Sequence, residues 1–199
     1  MADVPAAVRE HLLEHFSGAS EPAEASVTFL GADRILVLRF DAGGDPDGPD
    51  GLAHYVSLGC SSQPMVDPAE AIADPVRGPR AEVAVALRGP APTGLARSVA
   101  VVAAAPAVEG LVLEPDALID LETPLWQGAP FTAFLLGRSD IDDVALPAPA
   151  SPVTVLSAVP ITPTEAAWVR LKGAPAMREA WEQDGVDVTD PRRRAASPA

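Results

Sequence analysis

Cysteine, lysine and aromatic side chains are scarce in this chain of 199 residues. The one cysteine, Cys60, excludes an intramolecular disulfide and any multi-cysteine metal or iron–sulfur site. Lys172 is the sole lysine, and 14 basic residues stand against 28 acidic ones, a formal net charge of −14 with histidines neutral. Phosphate contacts need clustered Lys and Arg, so neither nucleic acid nor an anionic membrane is expected as the main partner. Long apolar runs are missing too. The longest, Val99 to Val108, includes Pro106 and falls far short of the ~20 residues that span a bilayer. Met1 to Glu10 carries Asp3, Arg9 and Glu10 with no basic stretch leading into an apolar one. No signal peptide is read there, and the expected address is cytoplasmic. The phosphate-cradling patterns G-x-x-x-x-G-K and G-x-G-x-x-G, and the G-x-S-x-G nucleophile elbow, do not occur.

What remains is a globular composition. Hydrophobic residues make up 48% and the mean hydropathy is +0.16, enough for one well-filled core. With 15 glycines and 22 prolines, many turns are expected.

Asp3 is placed to cap a helix with Pro5 just inside it, and Val4, Val8, Leu12 and Phe16 recur every four residues before Gly18. Strands are read at Ala25–Leu30 and Arg34–Phe40, joined by a Gly31-Ala32-Asp33 turn. Asp41–Gly51 reads as an exposed loop, and further strands at His54–Leu58 and Ala81–Leu87 flank an irregular, proline-broken stretch from Gln63 to Pro79. A helix is expected over Thr93–Ala105, then strands near Ala117–Leu121, Phe131–Gly137 and Val153–Ile161. Thr162 caps the next helix at Pro163 with Glu165 at capping-box spacing, and a last helix covers Pro175–Gln183. Helices and strands alternate irregularly. The expected fold class is α+β (mixed α/β), one mixed sheet with helices packed against it. A single domain is expected over residues 1–188, followed by a disordered Arg/Ala/Ser/Pro tail over 189–199 that contains Arg192–Arg194.

Three segments carry residues with chemical potential. His11-Leu12-Leu13-Glu14-His15 matches H-x-x-E-H, in which two histidines one turn apart bind zinc and the glutamate activates water. An amphipathic terminal helix explains the same residues and outweighs zinc, because a third ligand and a cleft are also needed. In the acidic loop, Asp45, Asp47 and Asp50 fail the EF-hand register, since positions 5, 6 and 12 fall on Pro49, Asp50 and Val56. Cys60, six residues after His54, lacks a triad pattern and reads as a small buried hydrophobe. Of Trp126, Trp168 and Trp181, the two on predicted helices read as packing residues. No catalytic, cofactor-binding or metal residue is assigned.

Three segments together resemble the Suppressor of Fused (SUFU) domain family, over roughly residues 5 to 185. His54-Tyr55-Val56-Ser57-Leu58-Gly59-Cys60-Ser61 is similar to its early strand and Gly-x-Ser turn. Arg80-Ala81-Glu82-Val83-Ala84-Val85-Ala86-Leu87 is similar to its Arg-x-Glu-led strand, and Val159-Pro160-Ile161-Thr162-Pro163-Thr164-Glu165 to its Pro-Ile-Thr-x-x-Glu junction. Many members carry a Gly-His-Thr segment that Leu118–Phe134 lacks, so no role of that histidine is carried over. The second domain with which the animal protein clasps a partner strand is not expected here either. The resemblance implies a SUFU-like fold and a non-enzymatic module binding a protein partner, as in bacterial single-domain relatives suggested to act as immunity proteins against toxins. Strand addition at a sheet edge is the mode it implies. The competing reading is a small hydrolase using His11, Glu14 and His15 on zinc, or Cys60 as nucleophile.

Overall fold

The computed structural model describes residues 3–29, 33–45, 48–66 and 74–196. Helix α1 (Val4–His15) starts as its sequence dictates: the Asp3 carboxylate accepts the Ala6 N–H at 3.1 Å, Pro5 occupies the first turn, and Val4, Val8 and Leu12 are buried. Strands β1 (Ala23–Val27), β2 (Ile35–Asp41), β3 (Leu52–Leu58) and β4 (Arg80–Arg88) form an antiparallel meander. The expected turn between β1 and β2 falls mostly outside the described residues, as do Asp47 and residues 67–73 of the Gln63–Pro79 stretch.

Helix α2 (Leu95–Glu109) starts two residues later than the sequence suggests, because Gly94 holds a left-handed conformation. It runs through Pro106, which forfeits one ladder bond, and stops at left-handed Gly110. Short β5 (Leu118–Asp120), β6 (Ala133–Arg138) and β7 (Val153–Ile161) complete the sheet. Helices α3 (Pro163–Lys172) and α4 (Ala174–Asp184) follow. The strand order is β1-β2-β3-β4-β7-β6-β5, with β4 and β7 the parallel pair among the described residues. The α+β class with one mixed sheet is thus the observed one.

Alternation of side chains divides the core between the two faces. Val83, Val85, Phe134, Leu136 and Leu156 pack against α2 on one face. On the other, Leu38, Phe40, Val153 and Val155 meet α1, while Leu135 and Ile161 meet α3 and α4. Each fully buried Leu or Phe contributes roughly 1.5–3 kcal/mol of transfer free energy.

The expected disordered tail from 189 is overturned over its first part. Thr189 accepts a hydrogen bond from the Arg88 N–H at 2.8 Å, and Arg193 and Ala196 are buried. Residues 197–199 lie outside the described residues. The composition of the tail suggested disorder, but one buried ion pair and two aromatic rings fix it in place.

Candidate functional site

The first two family-like segments converge on a buried carboxylate. Glu82 on β4 is completely buried. Its Oε1 accepts the Gly59 N–H at 2.9 Å, the Ser61 N–H at 3.0 Å and the Ser61 hydroxyl at 2.6 Å, and its Oε2 accepts the Ser57 hydroxyl at 2.5 Å. Arg80, two residues earlier and on the same face of the strand, donates to the Ser61 carbonyl at 2.6 Å. Gly59 sits at φ +130, and a Cβ there would lie 3.0 Å from the Arg34 carbonyl. Burial pushes the Glu82 carboxyl upward, against the four hydrogen bonds that favour its charged form. The cluster fixes the turn after β3 and presents no acidic or basic group to solvent.

The third segment builds a second hub. Thr162 and Glu165 form the reciprocal capping box at the start of α3. Glu165 also accepts the Trp181 indole N–H at 2.9 Å, the Ala196 N–H at 3.1 Å, and both terminal nitrogens of Arg193 at 2.7 and 3.0 Å. Burial alone would raise this carboxyl, but the bonds from Arg193, Thr162 and Trp181 hold it below the usual range.

Residues singled out for catalysis do not assemble into a site. On α1, His11 is half-buried and Glu14 and His15 are exposed. Among the described residues no group of three or more His, Cys, Asp or Glu side chains is placed to hold a metal ion. His15 instead packs edge-on against Phe16, which stacks on Phe40 and touches His54. Burial, and then the nearby Glu82 charge, push the Cys60 thiol well above its ordinary value, which suppresses the thiolate a nucleophile needs. Trp126 and Trp181 are buried packing residues and Trp168 is half-buried. In the sequence Arg80, Glu82 and Glu165 stand in architectural motifs, whereas Arg193 carries no signal beyond a triple arginine in an otherwise acidic chain.

Among the described residues the sheet has two edge strands, β1 and β5. Backbone bonds from Leu121 to Thr132 and from Leu136 to Ala117 set the β5–β6 ladder so that Ala117, Ile119 and Leu121 face β6. The N–H and C=O groups of Leu118 and Asp120 therefore point away from the sheet. Two arginine–aspartate pairs bracket the strand, Arg178–Asp116 at 2.5 Å and Arg170–Asp120 at 2.6 Å. Asp116 and Glu122, both at positive φ, bend the chain sharply at its ends. Beside this edge lies a cleft of about 670 Å³ whose lining includes Arg97, Val101 and Glu109 of α2 and Asp120–Glu122. By the same ladder logic β1 turns the backbone of Glu24 and Ser26 outward, and the exposed Glu24 side chain pairs with Arg9 of α1. Among the described residues no helix is long and apolar enough to cross a membrane.

A family model described as Suppressor of fused protein (SUFU) matches residues 31–194. No curated protein matches the sequence. Among solved structures, a SUFU homolog from Neisseria gonorrhoeae FA 1090 is similar over 98% of this chain and 97% of its own, with TM-score 0.68 and 17% identity. The structure of the Sufu–Fu complex is similar over 96% of this chain and 91% of the matched one, with TM-score 0.70 and 14% identity. Drosophila Suppressor of Fused gives TM-score 0.69 and 15% identity over 96% of this chain, which spans 50% of the Drosophila protein. At such identities these likenesses establish the fold alone.

Proposed function

The chain belongs to the Suppressor of fused family, and from that premise we propose that it is a non-enzymatic protein-binding module. It takes an extended segment of its partner as an additional strand along β5. The observation that carries this reading is the pair of outward-facing backbone positions, Leu118 and Asp120, opening beside the α2 cleft. Main-chain hydrogen bonds would supply affinity, and alternate side chains of the incoming strand would reach the cleft on one face and α3 on the other. A similar fold solved as the Sufu–Fu complex has a protein partner, which supports the binding class.

The partner proposed is a basic protein. A formal charge of −14 steers such a partner to the surface and repels acidic ones. A basic toxin neutralised in an immunity-type complex would be such a partner. The test is capture of the partner from cells of the protein's own source, by wild type and by two proline variants. Leu118→Pro removes an outward N–H of β5, and Ser26→Pro removes one of β1, each leaving the internal ladder bonds in place. The expected result is loss of the partner with Leu118→Pro alone, at a melting temperature showing that the fold persists. Loss with Ser26→Pro alone would move the site to the opposite edge.

A further inference from the structure

The two parallel strands β4 and β7 separate before they end. Their pairing stops at Ala84↔Ser157, although β4 continues to Arg88 and β7 to Ile161. The helices that follow diverge, α2 covering one face of the sheet and α3 the other. In open sheets this divergence at the carboxyl ends of neighbouring parallel strands creates a crevice that serves as a ligand site. Here the chain's own C-terminal segment crosses the crevice, with Thr189 bonded to Arg88 at the end of β4 and Arg193 to Pro160 near the end of β7.

At its centre is Arg193. Besides the bidentate contact with Glu165, its Nη2 donates to the Pro160 carbonyl at 2.8 Å and its Nη1 to the Arg194 carbonyl at 3.1 Å. Its guanidinium carbon lies 5.0 Å from the Phe131 ring centroid and 5.6 Å from that of Trp181. A planar fork facing a carboxylate, a carbonyl and two aromatic faces is the recognition chemistry of arginine, which the point charge of lysine does not reproduce. Among the described residues Nε has no partner, so the terminal nitrogens make the hydrogen bonds seen there and methylguanidinium could make all of them.

We propose that Glu165, the Pro160 carbonyl, Phe131 and Trp181 form an arginine-binding pocket, occupied here in cis by Arg193, that accepts an arginine side chain in trans when Arg193 is withdrawn. The ligand is an arginine in an extended segment, held as residues 190–196 are held. A tethered arginine benefits from a high effective concentration, so a partner's arginine enters only when the tail is displaced or altered. This pocket uses none of the outward backbone groups of β5, although Leu118 packs against the cluster that holds Trp181, and neither proposal depends on the other.

The test uses full-length Arg193→Ala and a peptide of the sequence Asp-Pro-Arg-Arg-Arg-Ala-Ala, residues 190–196. The peptide is expected to bind the variant saturably and raise its melting temperature, and to leave wild type unchanged. Replacing the peptide's central arginine with lysine should weaken binding about tenfold, the worth of one charge-assisted hydrogen bond. Methylguanidinium should give a smaller rescue of the same variant. Absence of rescue by peptide and small ion alike would reduce the pocket to a fixed internal ion pair and overturn the proposal. Should Arg193→Ala not fold, Arg193→Lys takes its place with the same peptides and the same readings. In wild type, phenylglyoxal should modify the exposed Arg192 and Arg194 and spare Arg193. Equal modification of all three would also overturn it.

Discussion

Replacing Glu82 by alanine removes the acceptor on which the turn after β3 is hung. Four donors lose their partner at once: the Gly59 and Ser61 amides and the Ser57 and Ser61 hydroxyls. A buried donor left unsatisfied costs about 1–3 kcal/mol, so even at the lower end the four together cost about 4 kcal/mol. Relief of carboxylate desolvation and entry of water keep the loss from reaching the upper end of that range. For a chain of this length, about 4 kcal/mol corresponds to a fall in melting temperature of roughly 8–16 °C. Glu82→Gln keeps one acceptor oxygen but turns an NH₂ toward Ser57, and is expected to cost about 1–3 kcal/mol. Because the Glu82 carboxyl is raised in the fold, its contribution is fullest below the unfolded value of 4.5 and declines as pH climbs through the folded value. The stability gap between wild type and Glu82→Gln therefore narrows with rising pH. Urea unfolding with a constant m-value, read across pH 4 to 8, measures both effects. A loss below ~1 kcal/mol in Glu82→Ala, or a gap that widens with pH, would refute the reasoning.

Two further outcomes follow from the buried groups. The Glu165 carboxyl is lowered in the fold, so its stabilising contribution is present above the unfolded value of 4.5 and is lost as pH falls through the folded one. Glu165→Gln should flatten that acid limb in thermal melts, and an unchanged limb would contradict the role given to Arg193. The Cys60 thiol should react with iodoacetamide at pH 8 far more slowly in the native protein than in urea. Native reactivity equal to that of the unfolded chain would show an accessible thiolate and reopen the nucleophile reading.

Local patterns in the sequence carried most of the architecture. The four-residue spacing of Val4, Val8 and Leu12, with Asp3 and Pro5, specified α1. The run Val153–Ile161 and the Thr162–Glu165 box specified β7 and the start of α3 to the residue. These features were legible because caps and alternation act over a few residues. Long-range juxtapositions were not. Glu82 and Ser61 were both visible in family-like segments, yet nothing in either states that the carboxylate of one closes the turn of the other. Arg193 was hidden more deeply, since an arginine among Ala, Ser and Pro has the composition of a solvated tail until a buried glutamate claims it. The β5 edge was legible only as a short apolar run near Ala117–Leu121. Its position at the end of the sheet depends on β7 inserting between β4 and β6.

The most direct test of the central claim is amide hydrogen exchange at β5, with and without the captured partner. In the free protein the Leu118 and Asp120 amides point outward and should exchange fast, while those of Ile119 and Leu121, bonded to β6, exchange slowly. Bound partner should slow Leu118 and Asp120 and leave the outward amides of Glu24 and Ser26 on β1 unchanged. Protection at β1 with no change at β5 would contradict strand addition at this edge.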